Sequence, residues 1–258
     1  MIQKEGPYIY ETNSKKWLKR LGIFLGTLIL IVVGYVVYVF SSYYRLEDKQ
    51  KLTITGKIYR KRQKTKKMYR ITSGNIGFGA YSDDYSFFMD GGKESRARSK
   101  DAVIEKKNVS SYAEAVAQLN PDFMLFQEVD IDGTRSYHVD ERKLLLSQTL
   151  STDNTSRNYT FAQNYDSPYL FYPILEPHGK NKSGMLTVSN MKITESIRRS
   201  FTDRRWIYEN CWIWIAVIAS TGFRQKTERN LSCTICIFPL IHLIRAPRTI
   251  SCGCCLRI

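Results

Sequence analysis

A chain of 258 residues with 43% hydrophobic and 24% charged residues is long enough for one domain with appendages or two small ones, and too apolar for a disordered polymer. Its net charge of +15 points to polyanionic partners such as nucleic acid or an anionic membrane surface. Residues 1–210 contain no cysteine, which excludes a disulfide scaffold for that part and is compatible with either side of a membrane.

In chain order, residues 1–20 form a short polar arm. Residues 21–40, LGIFLGTLILIVVGYVVYVF, carry no charge over 20 positions. At about 1.5 Å per residue such a helix spans a hydrocarbon core of about 30 Å. Trp17, Tyr38, Tyr43 and Tyr44 suit the interfaces. The competing reading is a cleaved signal peptide, whose apolar run is shorter, about 7–15 residues, and ends in a small-x-small site; YVFSSYYR offers none. Lys15, Lys16, Lys19 and Arg20 cluster before the span and favour a cytoplasmic N-terminus with the main domain outside the cytoplasm. Residues 41–67 read as a basic connector, densest at KIYRKRQKTKK (57–67), which is either a phosphate-binding patch or a solvated linker.

From residue 68 the pattern turns α/β. KMYRITSGNIG (68–78) predicts a strand ending in a Gly-rich loop. SYAEAVAQLN (111–120) predicts an amphipathic helix with Tyr112, Val116 and Leu119 on one face, stopped by Pro121. DFMLFQEVD (122–130) is a nearly continuous apolar run, as for a buried strand. ERKLLLSQTL (141–150) predicts a helix, and YTFAQNYD (159–166) and SGMLTVSN (183–190) predict strands. KITESIRR then leads into the tail.

Two polar residues end apolar strands. Asn75 closes the first, and Glu128 closes the buried one. A carboxylate there is costly unless it is paired, sits at a solvent edge or holds a cation. A hard oxygen ligand suits Mg²⁺, which needs only one or two protein carboxylates. An Asn amide nearby can donate to a phosphate oxygen or orient a water. In the loop SRARSK (95–100), Arg96, Arg98 and Lys100 either contact an anionic substrate or form a solvated loop.

The order strand–Asn–Gly-rich loop, helix, then LNPDFMLFQEVD resembles the endonuclease/exonuclease/phosphatase superfamily, whose members include pancreatic-type deoxyribonucleases, sphingomyelinases and inositol phosphatases. SGMLTVSN resembles that family's next core strand, and the single anchor resembles a bacterial membrane-anchored branch. The resemblance covers about residues 68–200. It implies an α/β sandwich, with two mixed sheets packed between helices, of which this chain supplies an incomplete four-layer version. It implies that Glu128 binds Mg²⁺ or Mn²⁺ and that Asn75 contacts the phosphate or supports the site. The substrate would be a phosphoester: nucleic acid, a phospholipid headgroup or a phosphorylated small molecule. Tyr165, Tyr169, His178 and Lys182 fall near the expected cleft without individual roles, and His138 reads as ordinary surface.

The chain also departs from the family pattern. It has no Asp-x-Asn pair in a second half and no Asp-His pair to activate water: His138, His178 and His242 do not follow an aspartate. The composition of the tail, residues 206–258, breaks from the rest. It holds all six cysteines, together with Trp206, Trp212 and Trp214. Two explanations stay open. Cys233-x-x-Cys236 and Cys252-x-x-Cys255, with 15 residues between the pairs, match a four-thiolate zinc ribbon. Alternatively the reading frame has slipped. Codons chosen freely for SCTICIFPLIHLI and shifted by two bases permit Leu-Tyr-Asn-Leu-His-Phe-Ser-Ala-Tyr-Thr-Ser-Asp, an apolar strand ending in Asn-Leu-His. The expectations are therefore a membrane-anchored, metal-dependent phosphoester hydrolase that is inactive in this form or, as the alternative, a non-catalytic anchored binding protein with a zinc ribbon engaging nucleic acid or anionic lipid.

Overall fold

The structure is a computed structural model that describes residues 13–42, 44, 46–56, 68–89, 95–151, 157–200, 217–224 and 230–236, and the backbone alone at 13–15, 95, 151, 200, 217–224 and 230–236. The dense basic run 57–67 and most of the tail, including Cys211, Cys252, Cys254 and Cys255, lie outside the described residues. The chain divides into two compact units, residues 1–43 and 44–258.

The first unit is one helix, α1 (Asn13–Ser42). Its stretch Lys16–Ser42 contains an 18-residue window of mean hydropathy 2.6, none of it buried, so it is long and apolar enough to cross a membrane. A signal sequence passes the same test of length and composition.

The second unit is mixed α/β. In chain order its strands are β1 (Gln50–Lys51), β2 (Ile54–Gly56), β3 (Ile71–Asn75), β4 (Ser86–Phe87), β5 (Ser95–Arg96), β6 (Phe123–Gly133), β7 (Asn158–Asp166), β8 (Asn181–Ser189), β9 (Glu195–Ser200), β10 (Val217–Arg224) and β11 (Asn230–Cys236). Its α-helices are α2 (Ala102–Gln118) and α3 (Glu141–Ser151). A five-stranded sheet runs β2-β7-β8-β6-β3 and a four-stranded sheet runs β1-β9-β10-β11. β3 and β6 are parallel, with α2 in the connection between them, while β8 runs antiparallel to both of its neighbours, β6 and β7.

Strand alternation assigns the faces of the larger sheet. Met124 and Phe126 of β6 and Leu186 and Val188 of β8 pack with Val109, Ala113 and Val116 of α2 and Leu145 and Leu146 of α3 in the main core. The α2 positions recur at four and three residues, as a helix needs to present one stripe. On the opposite face, Thr160 of β7 meets Ser196 of β9, Oγ1 to Oγ at 3.1 Å, and Arg198 Nε donates to Gln163 O at 2.8 Å. These bonds join the two sheets.

Several expected boundaries move. The helix expected at 111–120 begins at Ala102, because Asp101 caps it: its Oδ1 accepts from the Val103 and Ile104 amides, each at 2.8 Å. Leu119, expected on the buried face, is the C-cap and is exposed, and Asn120 follows at φ +44°, a left-handed exit that Asn tolerates. β1 and β2 fall inside the segment expected as connector, and pair with β9 and β7. Strands this short leave almost no periodic signal. KITESIRR, expected only to lead onward, supplies β9.

Candidate functional site

The regular half of β6 ends at Phe126. Its pairing with β8 runs without a break from Phe123 to Phe126, skips, and resumes at Val129. Strict alternation from Met124 and Phe126 would send the side chain at 128 into the helix-side core. The bulge prevents this. Val129 joins that core instead, fully buried, and Glu128 is the extra residue at φ +54°. A left-handed, non-glycine residue inside a strand costs on the order of 1–3 kcal/mol and persists only where the surroundings enforce it. The Glu128 side chain is half-buried. Among the described residues no hydrogen bond or ion pair engages its carboxylate, although it lies within electrostatic reach of Arg135.

Asn75 is the last residue of the neighbouring strand, in register with Gln127, and Ile76 N donates to Gln127 O at 3.1 Å. The structure thus sets Asn75 one residue from Glu128 across a parallel pair. Asn75 is exposed, and its Oδ1 accepts from Gly77 N at 2.8 Å. Only the oxygen end of the amide can accept that proton, so Nδ2 is left as a donor. Gly77 at φ +52° makes the tight turn that brings its amide round.

Behind Glu128 sits a buried polar network that the sequence reading missed. Arg135 grips Asp130 with two bonds, Nε to Oδ2 at 2.9 Å and Nη2 to Oδ1 at 2.7 Å, both side chains fully or almost fully buried. Ser136 Oγ adds a bond to Asp130 Oδ2 at 2.9 Å. The guanidinium lies 4.1 Å from the Phe78 ring centroid. Burial alone would weaken the Arg135 charge, but Asp130 outweighs it and the pKa is raised. The Asp130 amide, freed from the ladder beside the bulge, donates to Glu141 Oε2 at 2.6 Å. Glu105 of α2 approaches Glu141. Burial, and then the Asp130 charge, push Glu105 up to about 9. Burial, Asp130 and Glu105 likewise raise Glu141. Among the described residues, Oε1 and Oε2 of Glu105 and Oε1 of Glu141 have no partner of good hydrogen-bond geometry. The arrangement is one ion pair beside two carboxyls whose burial favours the protonated form. The available signal was VDIDGTR, where charges interrupt an apolar strand and an Arg follows within one turn.

The other candidates are dispersed. Lys100 is ion-paired with Asp84, and Arg98 Nε donates to Pro177 O at 2.6 Å. Among the described residues Arg96 forms no side-chain bond, while its carbonyl accepts from Phe88 N at 2.9 Å. His178 is buried, with Nδ1 3.2 Å from Ala97 O; burial, then the Arg135 charge, lower it to about 4, so it is neutral at pH 7. Lys182 pairs with Asp166 at 3.8 Å, and exposed His138 bonds Asp132 at 2.6 Å.

No cluster of three or more His, Cys, Asp or Glu side chains gathers among the described residues. A hard cation such as Mg²⁺ or Mn²⁺, which keeps most of its waters, would need only the Glu128 carboxylate from this set. For the zinc-ribbon alternative, Cys233 and Cys236 lie in extended backbone of β11, opposite Thr221 and Ile218, with no turn between them. A zinc knuckle requires its two thiolates to curl round one metal.

No protein-family model matches the chain, and no curated protein matches it. Two solved chains do. One is an endonuclease/exonuclease/phosphatase family protein from Leptotrichia buccalis C-1013-b, with 13% identity and a TM-score of 0.41. The match covers 67% of this chain and 55% of that one, so this chain spans about half its length.

Proposed function

We propose that the chain is a membrane-anchored phosphoester hydrolase of the endonuclease/exonuclease/phosphatase kind, carrying one part of a catalytic set. The observation that carries this reading is Glu128: a carboxylate with no hydrogen-bond or ion-pair partner among the described residues, thrust out of a core strand by a bulge at φ +54°, one residue from Asn75 across the sheet. Strain and an unsatisfied charge at one residue are characteristic of sites and costly elsewhere. In this reading Glu128 is the carboxylate ligand of Mg²⁺ or Mn²⁺, which supplies Lewis-acid polarisation of the phosphoryl oxygen. Asn75 Nδ2 donates to a phosphate oxygen and orients the ester. Arg96 is the cation in loop 95–100 left available to an anionic substrate. α1 spans the membrane, with the second unit outside the cytoplasm.

Water activation is the missing element, since no histidine in the sequence follows an aspartate. General-base catalysis typically contributes 10²–10⁴-fold. The purified chain should therefore hydrolyse bis(p-nitrophenyl) phosphate with Mn²⁺ about 10²–10⁴-fold more slowly than the same chain continued in the frame shifted by two bases. Both activities should disappear in Glu128→Ala. Hydrolysis indifferent to Glu128→Ala would sink the reading. Sequencing the coding DNA across codons 195–258 and about a hundred bases beyond checks the frame: a shifted open frame that reaches Asp-x-Asn and Asp-His pairs supports a slipped tail, and one riddled with stops refutes it.

A further inference from the structure

Between β7 and β8 the chain leaves the body of the second unit as a hairpin. Leu170 and Gly179 bridge antiparallel, Leu170 N to Gly179 O at 3.1 Å and Gly179 N to Leu170 O at 2.9 Å. His178 N donates to Tyr172 O at 3.2 Å. The base is clamped from outside as well: Arg98 Nε bonds Pro177 O, the Ala97 amide reaches Glu176 Oε2 at 3.4 Å, and the Phe88 ring meets Tyr172 edge-on at 5.7 Å. The base is also tied to the polar end of β6, with Thr134 N bonded to Lys180 O at 2.9 Å and Arg135 N to Asn181 Oδ1 at 3.0 Å.

The tip of this fixed hairpin is apolar and bare. Ile174 is 85% exposed and Leu175 99%, flanked by Phe171 at 56% and Tyr172 at 63%. Lone apolar side chains on a surface need no explanation, but four large ones within residues 171–175, on a hairpin held away from the core, mark a contact surface. The chain supplies a candidate for what covers it. From Ser42, the end of α1, to Gln50, the start of β1, the chain runs through residues 43–49 only. Fully extended, that stretch reaches at most about 30 Å. With α1 in a bilayer the second unit cannot leave the membrane surface, so a contact too weak to hold by itself is populated at high effective concentration. The tip chemistry suits that surface, with aliphatic side chains outermost, aromatic rings beside them where interfacial aromatics sit, and exposed Lys180 at the base to meet headgroup phosphates.

We infer that Phe171–Leu175 inserts into the interfacial layer of the bilayer that holds α1. The inference rests on α1 spanning that bilayer and on no phosphoester chemistry. The test uses the full chain reconstituted in phosphatidylcholine vesicles containing a lipid with a diazirine-bearing acyl chain, with photo-adducts mapped by mass spectrometry. Adducts are expected on α1 and on the 171–175 segment. In Ile174→Asp/Leu175→Asp the hairpin adducts should fall at least tenfold while those on α1 persist. Adducts on α1 with none on the wild-type hairpin would overturn the inference and leave the anchor intact. Adducts on neither would overturn both. A second copy of the chain covering the tip would leave the wild-type hairpin without lipid adducts, the same overturning result. The wild-type map decides these outcomes even if the double variant fails to fold.

Discussion

β6 behaves as two strands joined end to end. From Phe123 to Phe126 it is regular, and all four side chains are buried. From Gln127 to Gly133 the pairing skips twice, the backbone turns left-handed at Glu128, and the buried side chains are Val129 and an aspartate gripped by Arg135. The first half can be read from its continuous apolar run because burial is its only requirement. The second breaks the period at Glu128, and a network of named partners has to hold it there. The comparison teaches that the regular half stabilises the domain and the irregular half aims a side chain.

Substitutions can break each half separately. Phe126→Ala removes the core side chain of the regular half and should cost about 3–5 kcal/mol in chemical denaturation. Arg135→Ala should cost a similar 3–5 kcal/mol by a different route, because it strands a buried Asp130 charge. If Arg135→Ala proves nearly neutral, the network is not what holds the irregular half. A smaller effect is expected at Glu141. Glu141→Ala orphans the Asp130 amide beside the bulge and should cost about 1–3 kcal/mol, while Glu141→Gln, which keeps an acceptor, should restore most of it.

The acid pair adds a pH signature. Glu105 titrates near 9 when folded, against an ordinary 4.5. Between those values the folded chain keeps a proton that the unfolded chain has lost, so stability falls as pH rises through that window. Glu105→Gln should flatten that fall, as measured by melting temperature from pH 5 to 9. An unchanged slope would mean the pair is not buried in solution. The smallest effect should be at the bulge itself: Glu128→Gly relieves the left-handed strain and should raise stability by about 1 kcal/mol. A loss of stability there would contradict the strain argument.

Much of this was legible in the sequence. β6, β7, β8 and α3 stand out because each has the length and pattern of its type. α2 was read only in its second half, since AVIEKKNVS looks polar until the Asp101 cap and buried Glu105 are known. The juxtaposition of Asn75 and Glu128 followed from strand ends, and the register places them as neighbours. The bulge was invisible, because an apolar run such as FMLFQEV has no alternation to interrupt. The Asp130–Arg135–Glu141–Glu105 network draws on β6, α2 and α3, and spacing along the chain does not report which distant carboxylates meet.

The central claim is that the bulge presents Glu128 to a divalent cation, and Mn²⁺ titration followed by electron paramagnetic resonance tests it most directly. Wild-type chain should bind Mn²⁺ stoichiometrically, and Glu128→Gln should lose that binding while its melting temperature stays unchanged. Equal binding by both chains would contradict the account.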